Sequence, residues 1–189
     1  LSSTLPEASL LVGWSLGSML ALCLARRHPE RVAGMLLIGA TPCFVAGESW
    51  SHGLDAEIVA RFQTDFARSP ERTLKRFLAL QVLGEQDRTG LSRHLETHLA
   101  QGPEYQGLAA GLRVLAESDL RDSLPGDARP CLLLHGENDA LMPVSAARFL
   151  HEHLPGSRLR VEPNSGHAPL FTQPAALAAL IREVESELG

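Results

Sequence analysis

Apolar runs of strand length stand near the start of this chain, alternation of strand and helix returns in its last third, and between them apolar residues recur at helical spacing. Residues 8–13 form a short apolar run ending on Gly13, and residues 16–28 stay apolar for the length of a helix before Pro29, which cannot continue one. That pattern reads as strand, sharp turn, helix. Residues 32–39 are a second apolar run without polar breaks, as in a strand buried on both faces of a parallel sheet. Two such strands joined by a helix make a βαβ unit.

Beyond Thr41-Pro42 the pattern changes, because residues 55–117 hold no strand-like run. Ile58, Phe62 and Phe66 recur every four residues, and Ser69-Pro70 then opens a stretch that carries Leu74, Phe77, Leu78 and Val82 and stops at Gly84. Leu91, Leu95 and Leu99, then Leu108, Leu112 and Leu115, mark two more amphipathic helices. The alternation of strand and helix resumes with strands at 130–136 and 158–162 and helices at 144–153 and 174–188, the last turning Leu177, Leu180, Ile181 and Val184 inward. The expected architecture is a parallel sheet with helices on both faces and an all-helical cap inserted after the second strand. Residues 1–43 and 119–189 form the core, and 44–118 the cap.

Composition narrows the function classes. With 44% hydrophobic and 21% charged residues among 189, the chain has the make-up of a globular domain with a sizeable core. Its net charge of −5 argues against a general binder of nucleic acid or anionic membranes. Gly13, Ser15, Gly17 and Ser18 interrupt the longest apolar tract, which is too polar and too short to span a bilayer. Cys23, Cys43 and Cys131 match no metal spacing and read as reduced thiols of a cytoplasmic protein. His94 and His98 could share a helix face but have no third ligand at a suitable spacing, so neither a metal nor another cofactor is expected.

The chemistry concentrates at three loops. Gly13-Trp14-Ser15-Leu16-Gly17 fits a nucleophile elbow, a strained turn between strand and helix in which a side chain at either glycine is expected to clash. A serine hydroxyl is a weak nucleophile at neutral pH and needs a base, which in turn needs an orienting acid. Of eight histidines, His167 stands in the small-residue loop Asn164-Ser165-Gly166-His167-Ala168-Pro169 between the last strand and the last helix. His135 ends a buried strand and reads as structural, and the others fall on helices or polar connections. Asp139 follows the strand at 130–136, with Glu137 a weaker competitor. The order Ser15, Asp139, His167 is that of the α/β-hydrolases. Ser15 is then the nucleophile, His167 the base and Asp139 the acid that orients it, and the Leu16 N–H is the first oxyanion donor.

Several segments together look like the biotin-pathway pimeloyl-[acyl-carrier protein] methyl ester esterases: Leu11-Val-Gly-Trp-Ser-Leu-Gly17, His28-Pro-Glu-Arg-Val32, Thr41-Pro-Cys-Phe44, Arg76-Phe-Leu-Ala-Leu-Gln81 and Gly166-His-Ala-Pro169. The resemblance covers nearly the whole chain. It implies cleavage of the methyl ester of a pimeloyl group carried on acyl carrier protein, with Trp14, Leu16, Phe77, Leu78, Ala79, Leu80, Gln81 and His167 lining the substrate pocket. An acidic carrier calls for local positive charge, and Arg72, Lys75 and Arg76 share one face of a cap helix, with Arg88 and Arg93 just after. Arg72, Arg76, Arg88 and Arg93 are therefore the expected docking residues. Ser18 stands where many relatives have glycine, a change expected to be tolerated. The resemblance also implies that strands ahead of the nucleophile strand, and the second oxyanion donor, lie outside this chain. A broader carboxylesterase and a catalytically inactive binding module of the same fold stay open as alternatives.

Overall fold

The computed structural model describes residues 5–99, 104–169 and 173–188, without the side chains of residues 98 and 99. Leu99 of the third cap helix and His98, both drawn on above, therefore have side chains outside the described residues. Four strands, β1 (Ser9–Trp14), β2 (Val32–Ile38), β3 (Cys131–Gly136) and β4 (Ser157–Glu162), lie side by side in that order, and every neighbouring pair is parallel. Three helices cover the sheet: α1 (Leu16–Arg27), α6 (Val144–His153) and α7 (Pro174–Ser186).

Strand β2 shows why its sequence is apolar throughout. Successive side chains leave opposite faces of a strand. Met35 and Leu37 join Leu22, Ala25, Leu133 and Leu150 under α1 and α6, while Leu36 and Ile38 join Leu132, Leu134, Leu180 and Val184 under α7. Each fully buried leucine contributes roughly 2 kcal/mol of transfer free energy. Cys131 sits in the first of these layers, and burial pushes its thiol up to about 12.

Between β2 and β3 stand the four helices α2 (Ala56–Arg68), α3 (Pro70–Gln81), α4 (Arg88–Leu99) and α5 (Tyr105–Glu117). Asp55 caps α2 by accepting from the N–H groups of Glu57 and Ile58. Ser69 holds the capping position of α3 but makes no side-chain capping bond, so the start of α3 rests on Pro70 rather than on the serine. Ile58, expected on an apolar face with Phe62 and Phe66, is 61% exposed, whereas Phe66 is buried. A layer of Met19, Phe44, Val59, Leu115 and Met142 joins cap to core. No helix among the described residues is long and apolar enough to cross a membrane.

Candidate active site

The elbow is built by crowding of backbone on backbone. A Cβ on Gly13 would stand 2.6 Å from the carbonyl oxygen of Gly17, because the first turn of α1 folds back over the end of β1. Ser15 takes up the reversal with φ 57° and ψ −121°, in the left-handed half of the map that a non-glycine residue seldom occupies. Gly17 departs from expectation: a Cβ there would meet nothing within 4 Å among the described residues, so its lack of a side chain has no steric cause in this structure. Ser18 does more than tolerate its position. It is fully buried, and its hydroxyl donates to the carbonyl oxygens of Gly13 at 2.8 Å and Ile38 at 3.1 Å, tying the elbow to the ends of β1 and β2. The Ser15 N–H donates to the same Ile38 oxygen at 2.9 Å.

Asp139 lies in the turn after β3, and its two oxygens have different duties. Oδ1 accepts from the N–H groups of Leu141 and Met142, each at 2.9 Å, which fixes the plane of the carboxylate. Oδ2 is 2.7 Å from His167 Nδ1. Burial alone would raise this carboxyl, but the hydrogen bond from His167, the charges of both histidines and the Met142 N–H more than reverse that and hold it below the ordinary carboxylate value. Glu137, the competitor for the role, points to solvent.

His167 is fully buried in the loop that leaves β4. The Trp14 indole N–H donates to its carbonyl oxygen at 2.7 Å, and the two rings lie 5.7 Å apart. Gly39, with φ 53°, follows Ile38 at the end of β2, and a Cβ on it would come within 3.0 Å of the imidazole. That glycine leaves room for the ring at the same strand end to which Ser15 is bonded. His167 Nε2 is buried and has no hydrogen-bond partner among the described residues. His135, read as structural from the sequence, places Nε2 2.7 Å from the Met142 carbonyl oxygen and 3.3 Å from Asp139 Oδ2, which makes it a direct neighbour of the acid.

A cavity of about 350 Å³ opens beside Ser15. Trp14, Leu16, Phe77 and Gln81 line it, together with Phe62 and Phe66 of α2, Leu74 of α3, and Leu108, Leu112 and Leu115 of α5. Four of the residues expected there do not line it. Leu78 and Ala79 do not reach it, and Leu80 borders a smaller apolar pocket of about 50 Å³ behind Phe62 and Phe77. Neighbouring residues of a helix point about 100° apart, so five in a row cannot share one wall. Ala79 instead borders a surface depression with Arg72, Lys75 and Arg76. His167 is likewise absent from the lining, set behind Trp14. The walls from α2 and α5 were visible in the sequence only as amphipathic faces.

Arg72 and Arg76 on α3 and Arg88 and Arg93 on α4 are all exposed. Arg76 also reaches Asp65 at 3.0 Å. Among the described residues no group of three or more His, Cys, Asp or Glu side chains is placed to hold a metal ion.

A parallel sheet with helices on both faces, a serine in a strained strand-to-helix turn, and a carboxylate–histidine pair after later strands describe an α/β-hydrolase. The alpha/beta hydrolase fold family matches residues 4–174. The chain belongs to that family and, within it, to the pimeloyl-[acyl-carrier protein] methyl ester esterases. The enzyme of that name from Aromatoleum aromaticum is 44% identical over 187 residues, which are 95% of this chain and 75% of the relative. The one from Nitrosomonas europaea is 39% identical over 176 residues, 92% of this chain and 70% of the relative. Among solved structures, an esterase from Exiguobacterium antarcticum superposes with a TM-score of 0.84 at 26% identity, covering 95% of this chain and 67% of its own. A bromoperoxidase from Bacillus anthracis, at TM-score 0.86 and 19% identity, shares the fold.

Proposed function

We propose that this chain is a serine carboxylesterase that hydrolyses the methyl ester of a pimeloyl group carried on acyl carrier protein, a cytoplasmic step in making the biotin precursor. The observation that carries the catalytic part is the state of the imidazole. Nδ1 is held by Asp139 at 2.7 Å, and Nε2 has no partner among the described residues at the strand end that also holds Ser15.

In this reading the Ser15 hydroxyl attacks the ester carbonyl carbon while its proton passes to His167 Nε2. The negative charge that develops on the carbonyl oxygen is met by the Leu16 N–H at the start of α1. Collapse breaks the bond to the methoxy oxygen, and His167 returns the proton to that oxygen, releasing methanol. Water, deprotonated by His167, then attacks the acyl carbon, and as the bond to Ser15 Oγ breaks His167 returns the proton to that oxygen, freeing the acid and restoring the serine. Asp139 stays ionised throughout and stabilises the imidazolium form of its neighbour. The apolar cavity takes the methylene chain, and Gln81, whose Oε1 has no partner among the described residues, is the polar group set in its wall. Arg72, Arg76, Arg88 and Arg93 face the acidic carrier.

Labelling with a fluorophosphonate probe, alongside hydrolysis of the carrier-bound methyl ester, tests this directly. The parent chain is expected to label and turn over, and Ser15→Ala to lose labelling and roughly 10⁴-fold or more in turnover. Labelling that persists in Ser15→Ala would place the nucleophile elsewhere.

A further inference from the structure

The cap meets the histidine loop at a polar contact that the sequence does not flag. Between α3 and α4 the chain turns through Leu83, Gly84 and Glu85, and the Glu85 side chain enters the core with only 6% of the residue exposed. Its Oε1 accepts from the N–H groups of Gly166 at 2.8 Å and Ala168 at 3.2 Å, the residues on either side of His167. The Ser165 hydroxyl lies 3.1 Å from both carboxyl oxygens.

Packing around the turn is as close as the hydrogen bonding. A Cβ on Gly166 would stand 2.2 Å from the carbonyl oxygen of Leu83, and one on Gly84, where φ is 91°, would stand 2.6 Å from that of Asn138. The turn is thus wedged between the acid loop and the histidine loop. Glu85 does not line the cavity, and its hydrogen bonds run to the loop rather than to the imidazole.

We propose that Glu85 is a positioning residue: by gripping the backbone on both sides of His167 it sets where Nε2 stands relative to Ser15. The proposal rests on the reading of His167 as the base. One oxygen serves both N–H donors, so removing it orphans two buried donors at once, and the loop must shift to find other partners. The ring is otherwise anchored by its Nδ1 bond to Asp139, and Trp14 holds the His167 carbonyl oxygen, but neither accepts from the Gly166 and Ala168 N–H groups, which Glu85 alone takes up among the described residues. A displacement of about 1 Å at the reacting nitrogen costs on the order of 10²-fold in rate. A clamp that merely fastened cap to core would alter thermal stability and leave the turnover of each folded site alone.

The measurement is kcat on p-nitrophenyl acetate per site titrated with a fluorophosphonate, with KM and melting temperature taken on the same samples. E85M keeps the length and removes the acceptor, and is expected to lose about 10²-fold in kcat with little change in KM. E85D keeps the charge but withdraws it by one methylene, for an expected loss of about tenfold. E85Q, whose amide oxygen can take both N–H bonds, is expected to restore kcat to within about threefold of the parent. E85M and E85D sites turning over within about threefold of the parent would overturn the clamp whatever the melting temperature does, and E85D decides alone if E85M does not fold. An E85Q as slow as E85M would also overturn it, since position would then not be what matters. A parent chain with no titratable site is a separate failure, which overturns the reading of Ser15 and His167 and the clamp's role with it.

Discussion

The strand ends and the cap border the same cavity under different rules. At the strand ends backbone meets backbone: a Cβ on Gly136 would stand 2.0 Å from the carbonyl oxygen of Gly166, and one on Gly13 2.6 Å from that of Gly17. Backbone atoms cannot adopt another rotamer, so these contacts admit a single residue type and hold the acid and histidine loops in register. Where the cap helices line the cavity, the contacts are between side chains. Phe62 and Phe77 meet as tilted rings 5.7 Å apart, and a Cβ on Gly111 would find Leu16 Cδ2 at an ordinary 3.4 Å. Such surfaces repack when one member changes. Parts that must place a nitrogen to within a fraction of an ångström are built from main chain, and parts that must fit a flexible chain are built from exchangeable apolar groups.

Two glycine-to-alanine substitutions set this contrast to its largest test. Gly136→Ala drives a methyl group into the Ser165 and Gly166 carbonyl oxygens, displacing the His167 loop. Its expected outcome is a kcat loss of about 10²-fold or more, with a drop of roughly 3 kcal/mol in stability. Gly111→Ala adds the same methyl group inside α5 and is expected to raise stability by about 0.5–1 kcal/mol through helix propensity, with kcat changed little. Denaturant melts and steady-state rates on both variants check the pair. Equal effects at the two sites would erase the distinction.

The cap's outer face gives a test of intermediate size. Reversing Arg72 and Arg76 to glutamate puts two negative charges where an acidic carrier would dock, and is expected to lower kcat/KM for the carrier-bound ester about tenfold, mostly through association. Hydrolysis of a small soluble ester should be spared. The exposed Arg76–Asp65 pair adds at most about 1 kcal/mol of stability, so folding is not expected to confuse the result. Equal loss on both substrates would remove docking as the reason for these arginines.

What the sequence makes legible follows the same division. Strand ends are local events: an apolar run, a small-residue turn, then a polar side chain, so Asp139 and His167 can be picked from neighbouring candidates by what precedes them. The run of β2 reads as buried on both faces because no polar residue interrupts it. Glu85 has no such signal, since a carboxylate in a polar turn looks solvated until the fold brings Gly166 and Ala168 to it across 81 and 83 positions. The rotation of α3 is similarly hidden, because amphipathicity does not resolve which of Phe77 to Gln81 meets the cavity when both sides of the helix are partly covered. Ser18 is a third case, where a residue that reads as a tolerated change proves to bond two strand ends.

The smallest expected effect probes the strand ends through pH. His135 is almost wholly buried beside Asp139, its Nε2 donating to the Met142 carbonyl oxygen, while its Nδ1 has no partner among the described residues. Burial, with the nearby His167 charge, holds its pKa below 6.5 despite the opposing pull of Asp139 and the Met142 bond. Above pH 6.5 the ring is neutral in both the folded and the unfolded chain and adds no pH dependence. As pH falls below that value the unfolded chain binds a proton that the folded one resists, so stability falls, with a slope of at most about 1.4 kcal/mol per pH unit for one proton. The lowered Asp139 carboxyl acts in the same direction further down, its contribution present above 3.8 and lost as pH falls through its folded value. Replacing His135 with glutamine, which keeps a donor for Met142, is expected to flatten the melting-temperature profile just below pH 6.5 while leaving the loss below 3.8 in place. A variant whose profile runs parallel to the parent's across the upper window would show that His135 is not resisting protonation, and that the strand ends hold their charges less tightly than their backbone contacts imply.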